Sequence, residues 1–299
     1  MTPVRLALAL LASAALAAPA LAQDGTLKKI KDSGGITIGH RDASLPFSYY
    51  DDKQQPVGYA MDLCHRIVDA VRANLKMPKI DIKYQLVTSA NRIPLMANGT
   101  IDMECGSTTN NIARQEQVWF TITHFVTANR WAAKKSANLN KLADLKGKTI
   151  VSTAGTTNIK QMTELNAAHN LGMNIISANG HSEAFQMVET GRAVAFAMDD
   201  ILLASLVAQA RSPGDYAISA EATSVEPYGI MLRKDDKAFK AVVDSAMVNL
   251  YKSGQINAIY EKWFQKPVPP KGINLNLPMS DAFKKVVANP TDSGDPKAY

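Results

Sequence analysis

The sequence predicts an α/β protein with largely parallel strands. Three observations carry that expectation. Stretches of strand-like alternation and stretches of helical periodicity follow one another along the chain. Short loops of Gly, Ser, Thr and Asn join strands to the helices that follow them. The pattern also restarts near the middle of the chain, as two units of similar construction would.

The chain opens MTPVRLALALLASAALAAPALAQDG. Arg5, a run of Leu and Ala, and the small residues Ala20-Leu21-Ala22 make a secretory signal with its cleavage site. Residues 1–22 are expected to be a removed signal peptide, because the run is too short to favour a stable anchor. No cysteine follows the cleavage site for lipid attachment, so a soluble periplasmic protein is expected. What remains is long enough for two domains.

GITIGHR reads as a strand ending at Arg41. YAMDLCHRIVDAVRANL places Ala60, Leu63, Ile67, Val71 and Leu75 on one helical face. IDIKYQLV alternates as a strand. SANRIPLMANG is expected to be a helix with Ser89 as N-cap and Gly99 as stop, with Pro94 in its tolerated first turns. TIDMEC is the next strand. After NLNKLADLKGK the series restarts: strand KTIVST, loop AGTTN, helix TNIKQMTELNAAHN, strand MNIISA, helix HSEAFQMVETG, strand RAVAFAM, helix DDILLASLVAQA. EPYGIMLRK reads as one strand, followed by helices through DKAFKAVVDSAMVNLYKSG and QINAIYEKWF. The tail beyond Trp263-Phe264 is expected to be loop that frays at its end.

A hydrophobic content of 46% with modest Gly and Pro argues for a packed globule. The formal charge of +6 is spread along the chain rather than clustered. No nucleic-acid stripe, aromatic platform or zinc spacing is present, so nucleic acid, metal and cofactor are not expected. Cys64 falls on the first long helix and Cys105 at a strand end. An exported protein permits a bridge between them, and two buried thiols are the equal alternative.

Aligning Gly99 with Gly191 brings Ser89 onto His181 and Ser107 onto Asp199. GSTTNNI (106–112) and GTTNI (155–159) are near-copies, each between a strand and a helix. The alternative to a repeat is coincidence, since such residues are common in these loops. In open α/β sheets, ligands bind at the edge these loops occupy. Helix N-termini there offer free N–H groups and a positive dipole end to an anion. Arg114 adds a planar fork suited to a carboxylate. Asp199 is either a helix N-cap or the acceptor of a cation. An anion site facing a cation acceptor describes a zwitterionic amino acid. Arg41 and Arg92 add two positive charges that a neutral ligand would leave uncompensated, so a second ligand carboxylate is expected. Ser89 and His181 are placed to donate to it. Asp102 and Glu104 are expected to be structural or rim groups.

The stretches GHRDASLPFSYYDD…PVGYAMDLC, TSANRIPLMANGTIDMECGSTTNNIARQ, AGTTN, GRAVAFAMDD and YGIMLRKDD together closely resemble the periplasmic glutamate/aspartate-binding proteins of ABC transporters. The resemblance runs in order over essentially the whole mature chain. It implies a type II periplasmic binding protein, with two α/β lobes joined by two hinge strands and a ligand cleft between them. By that resemblance residues 23–127 and 226–299 form lobe one and 128–225 lobe two. Arg114 resembles the α-carboxylate arginine, helped by Ser107, Thr109 and Thr157, and Asp199 resembles the ammonium acceptor. Arg41, Ser89, Arg92 and His181 resemble the set that holds the side-chain carboxylate. Thr108 and Thr156 line the same loops without an assigned contact.

Residues and resemblance together imply a monomeric receptor for L-glutamate or L-aspartate that closes like a hinge and delivers its ligand to a membrane permease. Two rivals stand beside it. One is an exported dehydratase on the same fold, which would need a poised acid or nucleophile that no constellation here supplies. The other is a glutamine binder, against which Arg41 and Arg92 argue.

Overall fold

The computed structural model describes residues 25–299; the expected signal peptide lies outside them. Two five-stranded sheets dominate. In the first, the strands run in the order Asp81–Leu86, Gly35–His40, Met103–Glu104, Met231–Arg233, Val118–Phe120. The second runs Asn174–Ala178, Thr149–Thr153, Ala195–Asp199, Asn129–Lys134, Tyr216–Ile218. In each, three neighbouring strands are parallel and the fourth is antiparallel to both strands beside it. The restart read in the sequence is thus one topology built twice.

Helices cover the sheets because their apolar residues recur every three or four positions. Tyr59–Asn74 buries Ala60, Leu63, Cys64, Ile67, Val68 and Val71 on one face. It packs on Lys237–Lys252 and Gln255–Phe264, which lie late in the chain. No helix among the described residues is long and apolar enough to cross a membrane.

The chain leaves the first sheet after Phe120 and enters the second at Asn129; it leaves the second after Ile218 and rejoins the first at Met231. The two crossing segments pair as an antiparallel ribbon, Phe125–Thr127 with Glu226–Tyr228. EPYGIMLRK is therefore two strands rather than one. Glu226–Tyr228 belongs to the ribbon and Met231–Arg233 to the first sheet.

Two further expectations are corrected. The helix expected from Ser89 begins at Arg92, because Thr88 and Asn91 bond reciprocally and hold the intervening residues in a turn. The tail is not a fraying loop. Asp281–Ala288 is a helix capped by Ser280, with Phe283 and Val286 buried. The last residues are tied down by the Tyr299 hydroxyl, 2.7 Å from Thr123 Oγ1, and by Thr123 N, which donates to Thr291 O at 2.9 Å.

Candidate functional site

The parallel strand ends of the two sheets meet across a small, tightly closed cavity. Ser89, Arg92, Ser107, Thr109, Thr156, Thr157, His181 and Asp199 line it. Thr108, Arg41 and Arg114 are buried immediately behind that lining.

The loop after Met103–Glu104 is held in extended form by the returning crossing segment. Asn110 N donates to Pro227 O and Gly229 N to Thr108 O. Asn111 caps the next helix, but Ile112–Gln115 has only four residues. Its dipole is small, so what this loop can offer an anion is Arg114 and hydroxyls more than a helix end. Arg114 donates from Nη1 to Thr109 O at 2.8 Å and from Nη2 to Gly155 O at 3.2 Å. Burial and then the neighbouring Arg92 push it down to about 9. Ser107 Oγ is buried without a protein partner.

The answering loop belongs to the second sheet. Thr156 caps Thr157–Ala168: its hydroxyl donates to Thr153 O at 2.7 Å and accepts from Ile159 N. Thr157 Oγ1 donates to Glu226 at 3.0 Å and lies 3.5 Å from Thr109 Oγ1. Gly155 makes the close approach possible. It adopts φ +74°, and a Cβ there would lie 2.5 Å from Ala90 Cα across the cleft.

Asp199 stands at the N-cap position of Asp200–Gln209 but makes no cap bond. Its carboxylate instead accepts from Asn158 Nδ2 at 2.8 Å and from the Tyr228 hydroxyl. Burial, reinforced by Glu226, raises it to about 7. It is therefore a carboxylate that an incoming ammonium would return to its charged form.

At the other end, Arg41 Nη2 donates to Ser89 Oγ at 3.0 Å and toward His181 Nε2 at 3.4 Å. Arginine can only donate, so His181 Nε2 accepts and its Nδ1 carries the proton toward Thr153 Oγ1 at 2.8 Å. Burial and the positive charges of Arg41 and Arg92 hold His181 well below its usual value, hence neutral. In this arrangement His181 braces Arg41 instead of donating into the cavity. Arg92 donates to Thr108 Oγ1, which in turn donates to Glu104 Oε2 at 2.5 Å. Arg41 Nε and Nη1 and Arg92 Nε are buried without protein partners.

The charge count made from sequence changes. Glu104 and Glu226 are both buried beside the cavity, so three carboxylates accompany three arginines. Asp102 and Glu104 do not share a role either. Asp102 is structural, accepting from Thr37 N and Lys29 Nζ at 2.8 Å each. Sequence reading also missed Asn158, Tyr228 and Glu226. Tyr228 and Glu226 sat inside an apparent strand, and nothing local marks Asn158. Among the described residues no group of three or more His, Cys, Asp or Glu is placed to hold a metal ion.

Cys64 and Cys105 form a disulfide. It ties the end of the Met103–Glu104 strand to the helix Tyr59–Asn74 and fixes where the loop at Ser107 starts.

Residues 36–266 match the family described as bacterial extracellular solute-binding proteins, family 3. The chain belongs to that family. It is 52% identical over 283 residues to the L-glutamate/L-aspartate-binding protein of Pseudomonas aeruginosa, covering 94% of each chain. It is 46% identical over 290 residues to the glutamate/aspartate import solute-binding protein of Escherichia coli, covering 96% of this chain and 95% of that one. Among solved structures it resembles a mutant of the arginine-binding protein of T. maritima, with TM-score 0.70 and 26% identity. That match covers 79% of this chain and 98% of the other. The fold is thus the two-lobed type II architecture of amino-acid-binding proteins, and the family is one of extracellular binding proteins rather than enzymes.

Proposed function

We propose that the protein captures L-glutamate or L-aspartate in the cavity between its sheets and hands it to an ABC-type permease. The supporting observation is the segregation of charge along the cavity. Asp199 waits at one end for an ammonium, and Arg114 lies between the loops for the α-carboxylate. Arg41 and Arg92, at the far end, hold buried N–H groups without protein partners. Glu104 is the carboxylate that acts on both of those arginines, with Asp42 adding to it at Arg41 and Asp199 at Arg92, whereas Glu226 acts on Arg114. The far end, two buried guanidiniums around one buried carboxylate, therefore stays positive toward a side-chain carboxylate. The names of the close relatives point to the same ligands.

In this reading lobe one comprises 23–127 and 226–299, lobe two comprises 128–225, and the paired crossing segments are the hinge. Ligand binds lobe one through Arg114, Ser107, Thr109, Arg41 and Arg92. Closure then adds Thr157, Asp199 and the His181 brace, contacts that reward the closed state only with ligand in place. The receptor works as a monomer, without cofactor, and the closed shape is what the permease recognises.

Calorimetric titration with glutamate, aspartate, glutamine, arginine and citrate tests the reading. Glutamate or aspartate should bind at least about 100-fold more tightly than glutamine, since an amide leaves buried charged donors unpaired. Glutamine binding as tightly as glutamate would overturn the acidic assignment.

A further inference from the structure

Glu104 is wholly buried at the end of its strand. Its Oε2 is engaged by Thr108, whose hydroxyl also receives Arg92. Its Oε1 has no hydrogen-bond partner and lies 3.9 Å from Arg92 Nη1. Arg41 closes the cluster from the other side. The bare backbone of Gly106 makes this possible: a Cβ there would lie 2.3 Å from Glu104 Oε1 and 3.0 Å from Arg41 Cγ. Carboxylate and arginine stem occupy the space a side chain would need.

A buried carboxylate with an idle oxygen is costly unless it compensates charge. Two arginines alone would present two positive charges to the ligand's side chain. Glu104 reduces that to one, matching a single carboxylate. We propose that Glu104 is a specificity-determining residue, a built-in counter-charge that sets how much negative charge the Arg41–Arg92 end of the cavity demands. The inference rests on the acidic-amino-acid reading above. It replaces the expectation that Glu104 is a structural or rim group.

Removing the negative charge strengthens the preference for a charged over an amide side chain. A unit charge removed ~6 Å from the ligand carboxylate, at an effective dielectric of ~20–40, alters that preference roughly 10- to 100-fold. Glu104→Gln keeps the shape and an acceptor for Thr108; Glu104→Asp keeps the charge.

The experiment measures dissociation constants for glutamate and glutamine, by calorimetry, in the wild type and four variants. The quantity read is the glutamine-to-glutamate ratio. It should rise about 10-fold or more in Glu104→Gln and stay near the wild-type value in Glu104→Asp. It should collapse in Arg92→Gln and recover in part in the double variant Arg92→Gln/Glu104→Gln, which removes one charge of each sign. An unchanged ratio in Glu104→Gln, with both affinities falling together, overturns the inference and leaves Glu104 a fold residue. Should Glu104→Gln not fold, equal ratios in Arg92→Gln and the double variant overturn it just as well. A wild type without preference for glutamate refutes the underlying acidic reading instead, and that result is independent of every variant.

Discussion

The disulfide gives a prediction whose size follows from the topology. Cys64 and Cys105 are 41 residues apart. Closing a loop of that length removes about 13 cal/mol/K from the unfolded chain, or ~4 kcal/mol at 25 °C. For a chain of this size each kcal/mol moves the melting temperature by ~2–4 °C, so reduction should lower it by ~8–16 °C. Reducing the wild type with a phosphine isolates the cross-link, because the two thiols still fill the core. Cys64→Ala/Cys105→Ala should melt lower again, since it also leaves space where wholly buried side chains stood. Binding at 25 °C should survive reduction, because Cys105 N still donates to Gly39 O at 2.8 Å and keeps the strand end in register. Calorimetric scans with and without reductant make the comparison. A reduced protein melting within about 2 °C of the oxidised one would refute the loop-entropy reasoning.

Arg114→Ala should abolish detectable binding while leaving circular dichroism unchanged: two charge-assisted bonds to a carboxylate are worth ~3–6 kcal/mol, and residual binding within ten-fold of wild type would exclude the role. Asp199 carries a pH prediction. Its value in the closed cleft is raised to about 7, so the folded protein binds more protons than the unfolded chain above pH 3.8. Stability of the closed, ligand-free form should therefore fall as pH rises from about 4 to about 7, and ligand affinity should rise over the approach to 7 as the ammonium displaces a proton. Calorimetry at pH 6 in buffers of different ionisation enthalpy reads that proton, and Asp199→Asn should release none. Deleting residues 291–299 removes the bonds from Asn110 and Gln115 to Asp292 O and from Thr123 to Thr291 O, which steady the loop carrying Arg114. The truncated protein should lose ~2–4 kcal/mol of stability and bind several-fold more weakly; an unchanged melting point and affinity would show the tail idle.

The fold was legible because both sheets are written in two periods that a sequence displays directly. GITIGH alternates, YAMDLCHRIVDAV repeats every three or four residues, and Gly99 and Gly191 each close a helix at φ +78° and +76°. The split in EPYGIMLRK was not legible. Both halves are buried and strand-like, and which sheet a strand joins depends on partners far along the chain. Ser89 has the residue type of a cap, but Thr88 and Asn91 satisfy each other and leave it in a turn. The tail looked loose because its Pro, Asn and Ser suggest solvent, while its anchors are Phe283, Val286 and the ring of Tyr299.

The site shows the same division more sharply. Residue types could name the parts of an amino-acid receptor, since an arginine, small hydroxyl loops and an aspartate have distinct uses. They could not say where charges stand relative to one another. By residue type alone three arginines stand against Asp199, a deficit that a second ligand carboxylate would fill. The structure adds Glu104 and Glu226, and the overall count balances without any ligand. The acidic reading survives on position rather than number. Glu226 accepts from hydroxyls and an amide at the hinge and acts on Arg114, and Asp199 is held by Tyr228 and Asn158 at the ammonium end. Glu104 is the buried carboxylate that acts on both Arg41 and Arg92, so in the proposed reading that end stays positive where the side chain would lie. Specificity in the proposed reading is a property of how charge is distributed along a small cavity, which no composition or motif can express.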